Sequence, residues 1–190
     1  PANYRPVSLT CICCKVLEHV FASQMMKHLD QNNILYELQH GFRPKRSCET
    51  QLISLVHDLT VNLSSGKQTD IIITDFSKAF DKVPHKRLLY KLNYYGIRGK
   101  NLKWIEAFLS NRSQKVIVEG EKSGSLDVVS GVPQGSVLGP ILFLIYVIDI
   151  NEGMSSQVRL FADDCIIYRK VSNQKEALLL QDDLRKLEKW

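Results

Sequence analysis

The chain has 190 residues, 44% of them hydrophobic and 24% charged, with a formal net charge of +5. That length and apolar content suit one domain, or a two-lobed fragment of a larger one, with a buried core. The longest apolar run, Val137 to Ile148, is interrupted by Gly139 and Pro140 and is too short to span a bilayer, which excludes a membrane segment. The mild basicity fits a phosphate-backbone partner without requiring one. Five cysteines, three of them crowded at Cys11, Cys13 and Cys14, lack paired metal-ligand spacing and read as reduced, buried thiols. Pro1 opens the chain with neither Met nor a charged leader, so the chain is expected to begin and end inside a longer protein.

Helical spacing of Leu17, Val20, Phe21, Met25 and Leu29 predicts a helix from Cys14 to about Leu29, broken by Asn32-Asn33. Gly41 to Arg46 reads as a basic loop. Ser47 then caps a helix with Leu52, Leu55, Val56, Leu59 and Leu63 on one face, ended by Ser64-Ser65-Gly66. Asp70 to Asp75 reads as a buried strand. Pro84 starts a helix over His85 to Tyr94 that Gly96 stops, and a second runs from about Lys100 to Leu109. Lys115–Glu119 and Leu126–Ser130 read as two hairpin strands joined near Gly120–Gly124.

Gly131 to Gly135 is a tight loop feeding an apolar helix that reaches about Ile150. Val158 to Tyr168 is apolar on both sides of Asp163-Asp164, the pattern of a hairpin with the two acids at its turn. Gln174 to Trp190 is amphipathic and helical through Leu178, Leu179, Leu184 and Leu187. Helices interleave with antiparallel hairpins, so the fold class is α+β.

Two acidic clusters stand on apolar strands: Asp75 after Ile71-Ile72-Ile73-Thr74, and Asp163-Asp164 after Phe161-Ala162. A carboxylate at the end of an apolar strand costs desolvation unless a cation or a donor meets it. If Asp75 and Asp163 meet, they form a site for two hard divalent ions, the usual clamp for nucleotidyl transfer. Asp164 stands where it can bind or tune a metal. Taken alone, Asp163-Asp164 reads rather as an ordinary solvated hairpin turn, since Asp is a turn former.

Thr74-Asp75-Phe76-Ser77-Lys78-Ala79-Phe80-Asp81, Gly131-Val132-Pro133-Gln134-Gly135 through Pro140, and Phe161-Ala162-Asp163-Asp164 follow one another in this order. Together they resemble the palm motifs of reverse transcriptases. Asn3-Tyr4-Arg5-Pro6-Val7-Ser8-Leu9, Gly41-Phe42-Arg43, Gly96-Ile97-Arg98 and Leu109-Ser110-Asn111-Arg112 narrow the resemblance to non-LTR (LINE-type, jockey-like) retrotransposon polymerases, over nearly the whole chain.

The resemblance implies a right-hand polymerase with an antiparallel palm sheet backed by helices: residues 1–70 mainly fingers, 71–190 mainly palm, thumb absent. It implies catalysis by Asp75, Asp163 and Asp164, with metal held by these acids and the Phe76 backbone carbonyl. The metal is Mg²⁺, two ions, with Mn²⁺ able to substitute. It places Arg43, Arg46, Gln134 and Gly135 at the incoming nucleotide, and Phe80 under the sugar, where an apolar ring leaves no room for a 2′-hydroxyl.

Its implied partners are an RNA template, a DNA primer, dNTPs and the rest of a polyprotein that supplies a thumb and any endonuclease, with no membrane. Its implied location is intracellular, in a cytoplasmic ribonucleoprotein and the nucleus. The resulting expectation is RNA-directed DNA synthesis in retrotransposition. The alternatives are an inactive nucleic-acid-binding remnant and an RNA-dependent RNA polymerase.

Overall fold

A computed structural model describes residues 5–190; Asn3 and Tyr4 of the first motif lie outside the described residues. The chain divides into two compact units, each drawn from two segments. One comprises residues up to Ile34 together with Lys78–Tyr146, the other Leu35–Ser77 together with Val147–Trp190.

The first unit is mainly helical: α1 (Ile12–Gln31), α3 (His85–Tyr94), α4 (Gly99–Leu109) and α5 (Leu138–Tyr146). Its core is built on α5, where Leu138, Leu142, Phe143, Leu144 and Ile145 are almost wholly buried. The α1 helix buries Met25 and Leu29 of the expected face together with Glu18 and Ala22, leaving Leu17 and Val20 exposed. The reason is Glu18, whose carboxylate accepts from the backbone N–H groups of Val137 and Leu138 and so caps α5.

The expected long hairpin is two short ladders, Ser113–Gln114 (β2) with Leu126–Asp127 (β5) and Ile117–Val118 (β3) with Glu121–Lys122 (β4). Its turn is at Glu119-Gly120, both with positive φ, as a tight two-residue hairpin demands. The apolar helix α5 stops at Tyr146, short of the expected Ile150. Among the described residues no helix is long and apolar enough to cross a membrane.

The second unit is an antiparallel sheet in the order β1 (Gln68–Asp75), β7 (Asp164–Val171), β6 (Gln157–Phe161), with α6 (Gln174–Lys189) and α2 (Cys48–Ser64). Val158, Leu160, Cys165 and Ile167 pack with Leu180 and Leu187 of α6. Leu178, expected on the buried stripe of α6, is exposed. β1 is an edge strand and not a buried one: Ile73 is 75% exposed.

The α2 helix also departs from expectation. Its capping box is formed by Ser47 and Thr50, but Leu52, Val56 and Leu63 are exposed. The face turned inward runs Gln51, Leu55, Asp58, Asn62. Arg159, 6% exposed on β6, donates to Asp58 at 2.6 Å and to the Tyr168 hydroxyl at 2.8 Å. A buried guanidinium without its carboxylate is more costly than a few exposed leucines, so the polar line sets the rotation of the helix. Of the five thiols only Cys165 is buried, and burial pushes it up to about 11; Cys11, Cys13, Cys14 and Cys48 are exposed and free.

Candidate active site

The three acids lie in the second unit. Antiparallel pairing of β1 with β7 sets Asp75 directly opposite Asp164, and β6 pairs with β7 up to Phe161 and Asp164. Only Ala162 and Asp163 remain as the two-residue turn, so Asp163 sits in the turn while Asp164 already opens β7. Burial, then the charges of Asp163 and Asp75, push the Asp164 carboxyl above its ordinary range. Three carboxylates thus share one sheet end and raise each other's electrostatic cost. As they stand, no three His, Cys, Asp or Glu side chains among the described residues form a ready-made metal cage. The donors are nonetheless hard oxygens, and their mutual repulsion is what a small divalent cation relieves, so the residues fit Mg²⁺.

Phe76 turns its side chain toward the core beside Trp190, with ring centroids 6.4 Å apart, which leaves its backbone as the part able to serve a site. Arg43 donates to the Tyr36 carbonyl at 2.9 Å, and Arg46 contacts His40 Nε2 at 2.8 Å. Burial and then Arg46 hold the His40 imidazole below its ordinary value, so it is neutral at pH 7. Its Nε2 accepts from Arg46, which puts the proton on Nδ1, toward the Thr50 hydroxyl at 2.9 Å.

Phe80, Gln134 and Gly135 lie in the first unit and are tied to one another. Phe80 stacks on Phe143 at 4.5 Å, and its carbonyl accepts from Val132 N–H two residues before Gln134. The Gln134 carbonyl accepts from Ser8 N–H at 2.7 Å, so Val7-Ser8 of the first motif lies along this loop. Gly135 has φ +88, and a Cβ there would fall 2.9 Å from the Ser8 carbonyl oxygen. Glycine is the residue that accepts both conditions.

Sequence reasoning passed over Gln39, Gln51 and Glu18, all buried polar residues that fix these loops. Gln51 donates to the carbonyls of Leu38 and Leu160, joining the segment before Gly41 to β6. Its place on the 51–55–58–62 line is a signal the sequence carries; Gln39 has no such periodicity.

The family described as reverse transcriptase (RNA-dependent DNA polymerase) matches residues 1–190. The chain is 30% identical to the probable RNA-directed DNA polymerase from transposon X-element of Drosophila melanogaster, over all of this chain and 22% of that protein. It is 29% identical to the RNA-directed DNA polymerase from mobile element jockey of the same organism, over 99% of this chain and 21% of that protein. The chain therefore spans about a fifth of the length of these curated relatives. Among solved structures, apo telomerase from Candida tropicalis truncated from its C-terminal domain superposes with a TM-score of 0.63 at 13% identity. That likeness covers 90% of this chain and 37% of the telomerase, and at this identity it concerns the fold alone. Fold and full-length family match agree: this chain belongs to the reverse transcriptase family.

Proposed function

We propose that the chain is the fingers and palm portion of a non-LTR retrotransposon polymerase that extends a DNA primer on an RNA template with dNTPs. The observation that carries this reading is the pairing of Asp75 with Asp164 beside the Asp163 turn. Residues 1–70 are mainly fingers and 71–190 mainly palm, the two interleaving along the chain.

Asp75, Asp163 and Asp164, with the Phe76 carbonyl, hold two Mg²⁺, or Mn²⁺ in their place. When bound, these ions lower the pKa of the primer 3′-hydroxyl and neutralise triphosphate charge. The protein's own part is positioning, with no covalent intermediate. Arg43 and Arg46 meet the triphosphate, where a guanidinium fork suits phosphate oxygens better than an ammonium. Gln134 contacts the incoming nucleotide, and Gly135 lets backbone approach it. Phe80, held by its stack on Phe143, presents a flat apolar ring to the sugar and offers a 2′-hydroxyl neither room nor a hydrogen bond. The remaining polyprotein supplies the thumb and any endonuclease, and the work is done in a cytoplasmic ribonucleoprotein and the nucleus.

Primer extension on poly(rA)/oligo(dT) with dTTP and Mg²⁺ tests this reading, using this chain, the same chain continued through a thumb, and an Asp163→Ala control of each. Incorporation lost in the controls supports it. No incorporation by either parent chain, with hybrid binding intact, overturns it.

A further inference from the structure

The turn that carries Asp163 has an unusual residue at its first central position. Ala162 has φ +56, in the left-handed region. Two-residue hairpin loops with positive φ at that position ordinarily use glycine, because a Cβ there is strained. Strain of this kind persists only where the surroundings over-determine the conformation.

Here one side chain makes both hydrogen bonds to the strained residue. Gln39 is 3% exposed, and its amide grips Ala162 by both backbone groups. Its Oε1 accepts from Ala162 N–H at 3.0 Å, and its Nε2 donates to the Ala162 carbonyl at 3.1 Å. The same Oε1 accepts from Gly41 N–H at 2.7 Å, which fixes the amide itself. The segment bearing Gln39 is laid along β6: Leu160 N–H donates to the Leu38 carbonyl, and His40 N–H donates to the Leu160 carbonyl. Gly41 permits this closeness, since a Cβ there would fall 2.1 Å from the Ala162 nitrogen. Arg43 follows two residues later on the same segment.

We infer that Gln39 is a positioning residue for the acid turn. It holds Ala162 left-handed and fixes the direction in which Asp163 leaves the hairpin. The inference rests on the polymerase reading for its consequence in catalysis, but the clamp on Ala162 is testable without it. Gln39 touches neither substrate nor metal; it acts through the backbone next to Asp163.

The test uses the full chain as wild type, Gln39→Met, Ala162→Gly and the double variant. Methionine keeps length and apolar volume and removes all three hydrogen bonds. Glycine at 162 removes the strain that the clamp opposes, so it should make Gln39 less necessary. Three readouts are taken: hydrogen exchange over residues 160–165 without metal, Mn²⁺ affinity by electron paramagnetic resonance, and primer extension.

In Gln39→Met, local exchange accelerates, Mn²⁺ binding weakens about tenfold, and kcat falls about 10- to 100-fold, as for a misplaced reacting group. The KM for dTTP stays within about threefold. The double variant recovers most of the Mn²⁺ affinity and of kcat, a coupling that loss of a merely structural contact does not produce. Should Gln39→Met not fold, Gln39→Asn, too short to hold both groups of Ala162, is expected to act in the same direction.

The inference is overturned if Gln39→Met matches wild type in exchange and Mn²⁺ affinity, or if the losses are the same with and without Ala162→Gly. A wild-type chain that binds Mn²⁺ yet incorporates nothing counts against the polymerase reading instead, and exchange and Mn²⁺ affinity still decide the clamp.

Discussion

Asp75 and Asp164 are direct cross-strand partners at the last rung of the β1–β7 ladder, two like charges set opposite each other on an exposed sheet end. A sheet selected for stability alone avoids this, since like charges directly opposite one another are destabilising. Under the proposed function a cation held by these acids relieves that repulsion, and the pairing yields the first prediction. Asp75→Asn should stabilise the metal-free chain by about 0.2–1 kcal/mol, a rise in Tm of about 2–4 °C per kcal/mol, while abolishing incorporation. Thermal denaturation in EDTA checks the first part; an unchanged or lowered Tm speaks against repulsion at this rung.

Glu18 supplies the second. It is 1% exposed and caps α5 through two backbone N–H groups. Glu18→Ala strands both donors and should cost about 1–3 kcal/mol. Glu18→Gln keeps an acceptor and loses the charge facing the helix N-terminus, a loss of about 0.3–1 kcal/mol. Urea denaturation of the two variants should rank them in that order.

The third concerns acid. The Asp183 carboxylate accepts from Ser155 N–H, Ser155 Oγ–H and Ser156 N–H, and pairs with Lys186 at 2.9 Å. Burial alone would raise it, but Lys186 and the two serines together bring it down to about 2. A carboxyl lowered on folding stabilises the chain fully above its unfolded value near 3.8 and loses that contribution as pH falls toward 2. The difference is about 2 kcal/mol at 1.36 kcal/mol per pKa unit. Asp183→Asn should remove about that much stability at pH 7 and flatten the stability curve between pH 4 and 2. An acid limb as steep as wild type in the variant would assign acid sensitivity elsewhere.

A fourth follows from Phe80. Its ring is stacked on Phe143 in a helix whose core positions are almost wholly buried, so its position is fixed by the fold. With Phe80 under the sugar as proposed, Phe80→Ala should raise incorporation of ribonucleotides relative to deoxynucleotides about 10- to 100-fold. Competitive single-nucleotide insertion with dTTP and UTP measures the ratio. A parent chain that already prefers UTP would remove the basis for the gate.

The order of elements was legible in the sequence because capping and stop residues are local. Ser47 caps α2, Pro84 precedes α3, and Asn32-Asn33 ends α1, all as expected from the sequence. The strand end bearing Asp75 and the turn bearing Asp163 were legible for the same reason: short apolar runs meet acids at turns. Which face of a helix is buried was only partly legible for α1 and α2: Met25, Leu29 and Leu55 are buried as expected, while Leu17, Val20, Leu52 and Val56 are not. In each, a polar group with distant partners outweighs part of the apolar stripe: buried Glu18 bonds to residues 137 and 138, and half-buried Asp58 to buried Arg159 and to Tyr168. Gln39 was invisible for a further reason. Its importance lies in the left-handed backbone of Ala162, and nothing in an alanine's identity announces that conformation.

The most direct measurement of the central claim is single-turnover primer extension with Mg²⁺ by this chain joined to a thumb, as the parent, Asp75→Ala and Asp163→Ala, on RNA and on DNA templates. The account expects dTTP incorporation on the RNA template by the parent, a loss of at least about 10³-fold in either variant, and hybrid affinity within about threefold across all three. Incorporation that survives loss of either aspartate, or a parent that binds the hybrid and adds no nucleotide, would contradict it.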